Sequence, residues 1–489
     1  MTAPAGRPPA RRRPPAAADP ARLAAFDVLR AVADRDAYAN LLLPRMLATR
    51  GVTGRDAALA TELAYGTLRG EGSYDAILAL CSDRGLDRID PVVRDVLRLG
   101  AHQLLATRIG AHAAVATSVD LVRQVAGGRP AGFVNAVLRR VATHDMAAWL
   151  EIAAPEAAAD PVGHLAVRYS HPAWIVEALA AALGENPATR TEQTQALLAA
   201  DNLPPRVALC GLPGLADRDE LLEAGLEPAR WSPFGAYLPH GDPGAVPAVA
   251  EHRAAVCDEA SQLAVVALTR APVTAPAGGG RLAGAGAGER RGERWLDLCA
   301  GPGGKARLLA ALAASRGARL LAADVRPHRA RLLATALRPV VGSATAAVVV
   351  ADGTEPAWRP GGFDRVLADV PCSGLGALRR RPEARWRRSP DDIAVMARLQ
   401  RALLGAALDS VRPGGVAGYV TCSPHPAETR DVVADVLAGR DDVSVLDAPA
   451  SLAEVTGLRC PPPHESFAQF WPHRHGTDAL FIALLRRAC

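Results

Sequence analysis

The 489 residues contain no run of about 18 uncharged apolar side chains, so no segment is expected to span a membrane. Arginines near the start have no apolar stretch behind them, which argues against a secretory leader. The eight cysteines form no CxxC pair and follow no regular spacing. A disulfide framework and a structural zinc site are therefore disfavoured, no metal is expected, and a reducing cytoplasm is the expected setting. Neither sign of charge dominates: 56 Lys and Arg stand against 51 Asp and Glu, for a net charge of +5 and a pI near 8.9. This small surplus favours an anionic partner without establishing one. Ala, Arg, Gly and Pro are so abundant that local clusters of arginine carry more weight than their total.

What is present is length enough for two or three domains. Residues 1–20 are mostly Pro, Ala and Arg, with Arg11-Arg12-Arg13 in the middle, and read as a disordered basic tail. From Ala21 to about Thr143 no strand-like alternation of useful length occurs. Apolar residues recur at helical spacing instead: Leu23, Phe26, Val28 and Leu29, then Leu59, Leu63 and Leu68, then Val93, Val96, Leu97, Leu99 and Leu104. An all-α bundle over 21–145 is the expectation.

Between 165 and 271 the pattern is mixed and reads as a small α+β connector. HPAWIVEALAAAL suits a helix, ADNLPPRVAL suits a strand after a Pro-rich turn, and Pro213, Pro233, Pro239, Pro243 and Pro247 mark loops. Within Val256-Cys257-Asp258-Glu259-Ala260-Ser261-Gln262, Asp258 or Ser261 reads first as a helix N-cap. Residues 274–294 are Gly/Ala/Arg low complexity and read as a flexible insertion.

An α/β rhythm then runs over 295–489. WLDLCAGPGGKARLLAALAA gives a strand, a glycine turn and a helix opening near Lys305, an arrangement that brings backbone N–H groups close to a ligand's polar end. Nucleotide, dinucleotide and adenosylmethionine binders share such a turn. Asp324 ends the next strand, where a carboxylate can accept both ribose hydroxyls of a nucleoside, and Asp352 follows the third. Either aspartate alone could serve a turn; two after a glycine turn favour a nucleoside pocket.

FDRVLADVPCSGLGALRRRPEARWRR, from Phe363 to Arg388, reads as a buried strand ending in a Cys-Ser-Gly-x-Gly loop, then an arginine cluster around Trp386 that suits a polyanion with stackable bases. A second Cys-Ser pair stands in YVTCSPHPAETRDVV. Free cysteines are usually small buried apolar residues, and Cys81, Cys210, Cys257, Cys299, Cys460 and Cys489 are read so. Cys372 and Cys422 differ because each follows an inferred strand end.

Two resemblances follow from these phrases. Gly66-Thr67-Leu68-Arg69, VRDVLRLGAHQLLATRIGAHAAVATSVDLV and GFVNAVLRRV resemble the NusB-like RNA-binding domain that precedes the catalytic domain of certain bacterial ribosomal RNA methyltransferases. DLCAGPGGK, ADVRPHRARLL, ADGT, the Phe363–Trp386 stretch and YVTCSPHPAETRDVV fall in the order found in RNA cytosine-5 methyltransferases. The combination is most similar to the ribosomal RNA small-subunit methyltransferase B (Sun/Fmu) family.

That resemblance implies a class I methyltransferase domain with a Rossmann-like seven-stranded sheet. It implies S-adenosylmethionine as cofactor, bound by Cys299, Ala300, Gly301, Pro302, Gly303, Gly304, Lys305, Asp324, Arg329, Asp352 and Asp369. It also implies C5-methylation of a cytosine in RNA, with 16S ribosomal RNA as the expected partner. Cys422 would attack C6, Cys372 would assist elimination, and Asp369 would meet the cytosine edge. Arg139, Arg140, Arg379, Arg380, Arg385 and Trp386 are the candidate RNA contacts, although Arg139 and Arg140 equally suit a helix C-terminus. The expected state is a monomer. Transfer RNA as substrate, or a non-catalytic RNA-binding assembly factor, are the alternatives. The sequence departs from the family pattern at Ala306, where Thr or Ser is usual, and at Ala427-Glu428-Thr429, which replaces a more acidic, Asn-bearing segment.

Overall fold

A computed structural model describes residues 18–184, 187–274, 292–340, 345–457 and 466–489. Most of the basic tail, most of the 274–294 insertion and Cys460 lie outside the described residues. The chain divides into two compact units, one of residues up to Val176 with Arg381–Glu383, the other of Glu177–Arg380 with Ala384–Cys489.

The first unit is helical. Its principal helices are Pro20–Arg35, Ala39–Thr49, Gly54–Cys81, Pro91–Ala106, Ala111–Ala126 and Ala131–Val141, followed by Met146–Ala153 and Pro161–Tyr169. Several starts are set by an Asp-Pro pair. Asp19 accepts from the Arg22 N–H at 3.0 Å ahead of Pro20, and Asp90 accepts from the Val92 N–H at 2.8 Å ahead of Pro91. The aspartate satisfies an orphan donor, worth about 1 kcal/mol, while proline occupies a position that needs none. Phe26, Val28, Leu29, Leu63, Leu68, Val93, Val96, Leu97 and Leu99 are buried together, with Leu23, Leu59 and Leu104 packed around them. The spacing thus identified the inner face of each helix, and two further helices carry the bundle past residue 145.

The second unit begins with the connector. Helix Ala173–Ala182 straddles the division at Val176, and helix Pro187–Asp201 leads into strand Val207–Gly211. This strand pairs antiparallel with Gly235–Leu238 and Ala254–Val256, and Glu227–Pro228 completes a four-stranded sheet. Asp258 is the N-cap of helix Glu259–Arg270, accepting from the Ala260 N–H at 3.0 Å.

The large sheet has seven strands on its main path: β1 (Arg294–Asp297), β2 (Arg319–Asp324), β3 (Ala346–Val350), β4 (Phe363–Asp369), β5 (Val411–Thr421), β6 (Val443–Leu446) and β7 (Phe481–Arg487). Their order is β3-β2-β1-β4-β5-β7-β6, and a two-residue strand, Ala468–Gln469, also pairs with β7. The first five are mutually parallel, whereas β7 runs antiparallel to β5 and β6. Parallel strands are buried on both faces and so read as unbroken apolar runs. Trp295, Val366, Leu367, Tyr419 and Val420 are all 4% exposed or less. The order reverses between β1 and β4, so the loops after these strands splay apart and open a crevice at their carboxyl ends.

Candidate active site

Parallel pairing places the chemistry. Asp297 of β1 stands opposite Leu367 of β4, and Asp369 of β4 opposite Val420 of β5. The Val370 N–H donates to the Val420 carbonyl at 3.0 Å, so Cys372 and Cys422, each two residues further along, leave the sheet side by side. Their sulfur atoms are 3.2 Å apart. Both side chains are half-buried. The hydrogen bond with Cys422, then burial, then the nearby Glu428 carboxylate hold the Cys372 thiol well above its ordinary range.

Gly376 ties the two loops together. Its N–H donates to the Cys422 carbonyl and its carbonyl accepts from the Ala479 N–H, both at 2.8 Å. A Cβ here would lie 2.0 Å from the Ala479 oxygen and 2.7 Å from the Cys422 oxygen, so only glycine permits this approach.

Lys305, in the first turn of helix Gly304–Ser315, donates to Asp369 Oδ2 at 2.8 Å. Burial works to lower the ammonium, but the Asp369 carboxylate outweighs it and holds Lys305 above its usual value, with Cys422 also close enough to contribute. One cation thus bonds the end of β4 and acts through its charge on the residue after β5. Asp297, absent from the expected set, is 1% exposed, and its carboxylate completes no hydrogen bond of normal geometry among the described residues. Burial, with Asp369 and Asp324 adding like charge, pushes it up to about 8 against the opposing pull of Lys305 and the Cys299 N–H. A charged residue closing an apolar strand was its only signal in the sequence.

The glycine turn fits a nucleoside cofactor with a polar tail. Gly303 occupies the N-cap of helix Gly304–Ser315 at φ +116°, a conformation that L side chains avoid, and no side chain caps the helix. Its first-turn N–H groups are therefore available to a ligand. Cys299, Ala300, Gly301 and Pro302 form the approach, with a cis Gly301–Pro302 peptide. Asp324, at the end of β2, accepts from the Arg326 N–H at 2.8 Å and stands 3.6 Å from Arg329 Nε, while Arg329 also donates to the Gly301 carbonyl. Arg329 hence braces the loop from below. Asp352 is exposed after β3 and accepts from both the N–H and the hydroxyl of Thr354, while Gly353 beside it abuts Leu298.

The arginine cluster departs from expectation. Arg385 is completely buried and donates to Asn202 Oδ1 and the Asp201 carbonyl, both at 2.8 Å. Arg379, 6% exposed, donates to Asp478 Oδ1 and the Gly476 carbonyl. Arg380 pairs with Asp258 at 2.7 Å and Asp478 at 2.9 Å. Buried carboxylates at Asp258 and Asp478 need counter-charges, and rigid guanidinium forks supply them. Arg379 and Arg385 thus act as internal braces, while Arg380, held by two carboxylates, keeps 26% of its side chain exposed. Trp386 is exposed, as are Arg139 and Arg140 of the helical unit, although Arg140 also pairs with Asp83 at 2.8 Å. Cys489, read as buried, is exposed.

The "16S rRNA methyltransferase RsmB/F" profile matches residues 288–486, and the NusB family profile matches residues 19–143. A ribosomal RNA small subunit methyltransferase B from Pseudomonas putida is 33% identical over 476 residues, covering 95% of this chain and 98% of that protein. The chain belongs to the RsmB/F methyltransferase family. Another relative, the putative methyltransferase Rv1407 of Mycobacterium tuberculosis, is 49% identical over 482 residues, with 98% of each chain covered. The crystal structure of PH0851 superposes with a TM-score of 0.74 at 21% identity, covering 96% of this chain and 99% of that one, and shares the fold. The RsmB/F assignment brings S-adenosylmethionine as methyl donor. The glycine turn, the uncapped helix and Asp324 are the residues that would hold it. Among the described residues no helix is long and apolar enough to cross a membrane.

Proposed function

We propose that this RsmB/F protein methylates C5 of a cytosine in 16S ribosomal RNA through a covalent cysteine adduct. The observation that carries this reading is the 3.2 Å approach of Cys372 and Cys422 at the ends of adjacent strands, beside the glycine turn. Cytosine C5 is too electron-poor to accept an electrophile until a nucleophile adds at C6. Cys422 as thiolate adds there, forming the S–C6 bond and moving the C5–C6 π electrons onto C5. Bound S-adenosylmethionine supplies an electrophilic methyl group at that carbon. Cys372 assists removal of the C5 proton, after which the C5–C6 double bond re-forms and the S–C6 bond breaks.

Lys305 favours the Cys422 thiolate by its charge and holds Asp369 toward the cytosine edge near N3. Asp324, Asp352 and Arg329 belong to the cofactor side of the crevice, together with Cys299–Lys305. A structured RNA would present its base splayed out of the stack, with Trp386 offering a ring to stack on and Arg139 and Arg140 meeting backbone phosphates. Free thiols at the site suit the cytoplasm. An intact cysteine pair held this closely favours catalysis over a vestigial domain.

The test is to incubate the protein with labelled S-adenosylmethionine and total RNA from a strain lacking its gene, then map the labelled base. A single 5-methylcytosine in 16S ribosomal RNA is expected. Label confined to transfer RNA, label on another base, or no label contradicts the reading.

A further inference from the structure

Glu428 lies six residues beyond Cys422, in the short turn Pro426–Glu428, and none of its surface is exposed. Three donors meet its carboxylate: the Ser373 N–H at 2.8 Å, the Ser373 hydroxyl at 2.5 Å and Gln400 Nε2 at 3.0 Å. Gln400 also donates to the Pro371 carbonyl at 2.9 Å, so the residues on both sides of Cys372 are held from one point. Ser373 Oγ lies 3.2 Å from Ser423 Oγ, linking the residue after one cysteine to the residue after the other. The Tyr419 hydroxyl donates to the Glu428 carbonyl at 2.7 Å and so fixes the turn to β5, the strand that bears Cys422.

We propose that Glu428 is a positioning residue that sets the spacing of the Cys372 and Cys422 thiols. A buried carboxylate must be fully hydrogen-bonded, and this one draws all its donors from the Cys372 loop and the helix packed beneath it. Removing it leaves the Ser373 N–H and one Gln400 amide hydrogen without an acceptor in a buried place, and the loop relaxes to satisfy them. Its charge has a second effect. Among the groups acting on the Cys372 thiol are Cys422, Glu428 and Thr421, with the buried Tyr419 hydroxyl nearby, and Glu428 is the carboxylate among them, disfavouring the Cys372 thiolate. Cys372 is thereby kept as a thiol while Lys305 stands by Cys422. The spacing is a property of the fold, and its catalytic meaning rests on the function proposed above.

The test uses the full chain and phenylarsine oxide, a trivalent arsenical that bridges two neighbouring thiols, followed by intact mass. The wild type should take one arsenical across the pair, and Cys422→Ser should abolish this capture. Glu428→Ala should capture about tenfold more slowly or worse, given the donors left unpaired. Glu428→Gln keeps the shape and one acceptor, and should both slow capture and move alkylation of Cys372 to lower pH. Gln400→Ala, which keeps the carboxylate, should slow capture less. If Glu428→Ala does not fold, Glu428→Gln and Gln400→Ala decide. Capture at the wild-type rate in a folded Glu428→Ala, or in Glu428→Gln with an unmoved alkylation profile, overturns the proposal. Neither readout requires RNA, so failure to methylate cytosine would refute the function and leave this inference standing.

Discussion

The sulfur atoms of Cys372 and Cys422 approach to 3.2 Å although fifty residues of chain separate them. Strand register brings them together, and Gly376 and Glu428 hold them there. A mild thiol oxidant such as diamide should therefore join them, each sulfur losing a hydrogen to the reagent. Peptide mapping should find the Cys372–Cys422 disulfide, with methyl transfer lost and then restored by dithiothreitol. The buried thiols Cys81, Cys210 and Cys257 should stay reduced under the same treatment.

Lys305 hydrogen-bonds Asp369, and its charge acts on Cys422. Without it the Cys422 thiolate loses a favourable charge, so Lys305→Met should shift the pH profile of Cys422 alkylation upward. Methyl transfer at neutral pH should fall by about tenfold or more, as one unit of pKa is worth 1.36 kcal/mol. Iodoacetamide labelling across a pH series checks the first effect.

Asp297 connects pH to stability. Its pKa of about 8 in the folded protein lies above the ordinary value of about 4. The folded state therefore retains a proton that the unfolded chain releases between those values, and stability falls as pH rises through this window. Asp297→Asn removes that contribution, so its melting temperature should decline less between about pH 5 and pH 8 than that of the wild type. Glu71 and Asp201, each pushed up to about 7 by burial, leave a slope of the same sign that ends nearer pH 7.

Arg385 and Trp386 are neighbours with opposite roles. Arg385→Ala uncovers buried acceptors and should cost about 3–5 kcal/mol of stability. Trp386→Ala should leave the melting temperature nearly unchanged and weaken RNA binding by about 1–3 kcal/mol, the usual worth of a stacked base. Thermal melts and filter binding on the same two variants separate structure from recognition.

Fold and site were unequally legible in the sequence. The helical spacing of Val93, Val96, Leu97 and Leu99 and the unbroken apolar strands identified the helical and α/β fold classes, because burial imposes a period that any reader of the chain can count. Cys372 and Cys422 stood out because each follows a strand end. The burial of Arg379 and Arg385 was not legible, since a guanidinium facing an internal acceptor is written with the same letters as one facing phosphate. Their partners Asp478 and Asn202 are remote in sequence. Glu428 carried almost no signal for the same reason: its role depends on Ser373 and Gln400, which only the fold brings near.

The most direct test of the two-thiol chemistry is intact-mass and peptide mapping of the Cys372→Ala protein after incubation with substrate RNA and S-adenosylmethionine. With addition intact and elimination impaired, a denaturant-stable protein–RNA adduct should accumulate, carry the transferred methyl group and map to Cys422, while Cys422→Ala forms none. Normal turnover by Cys422→Ala, or an adduct on any other residue, would contradict the account.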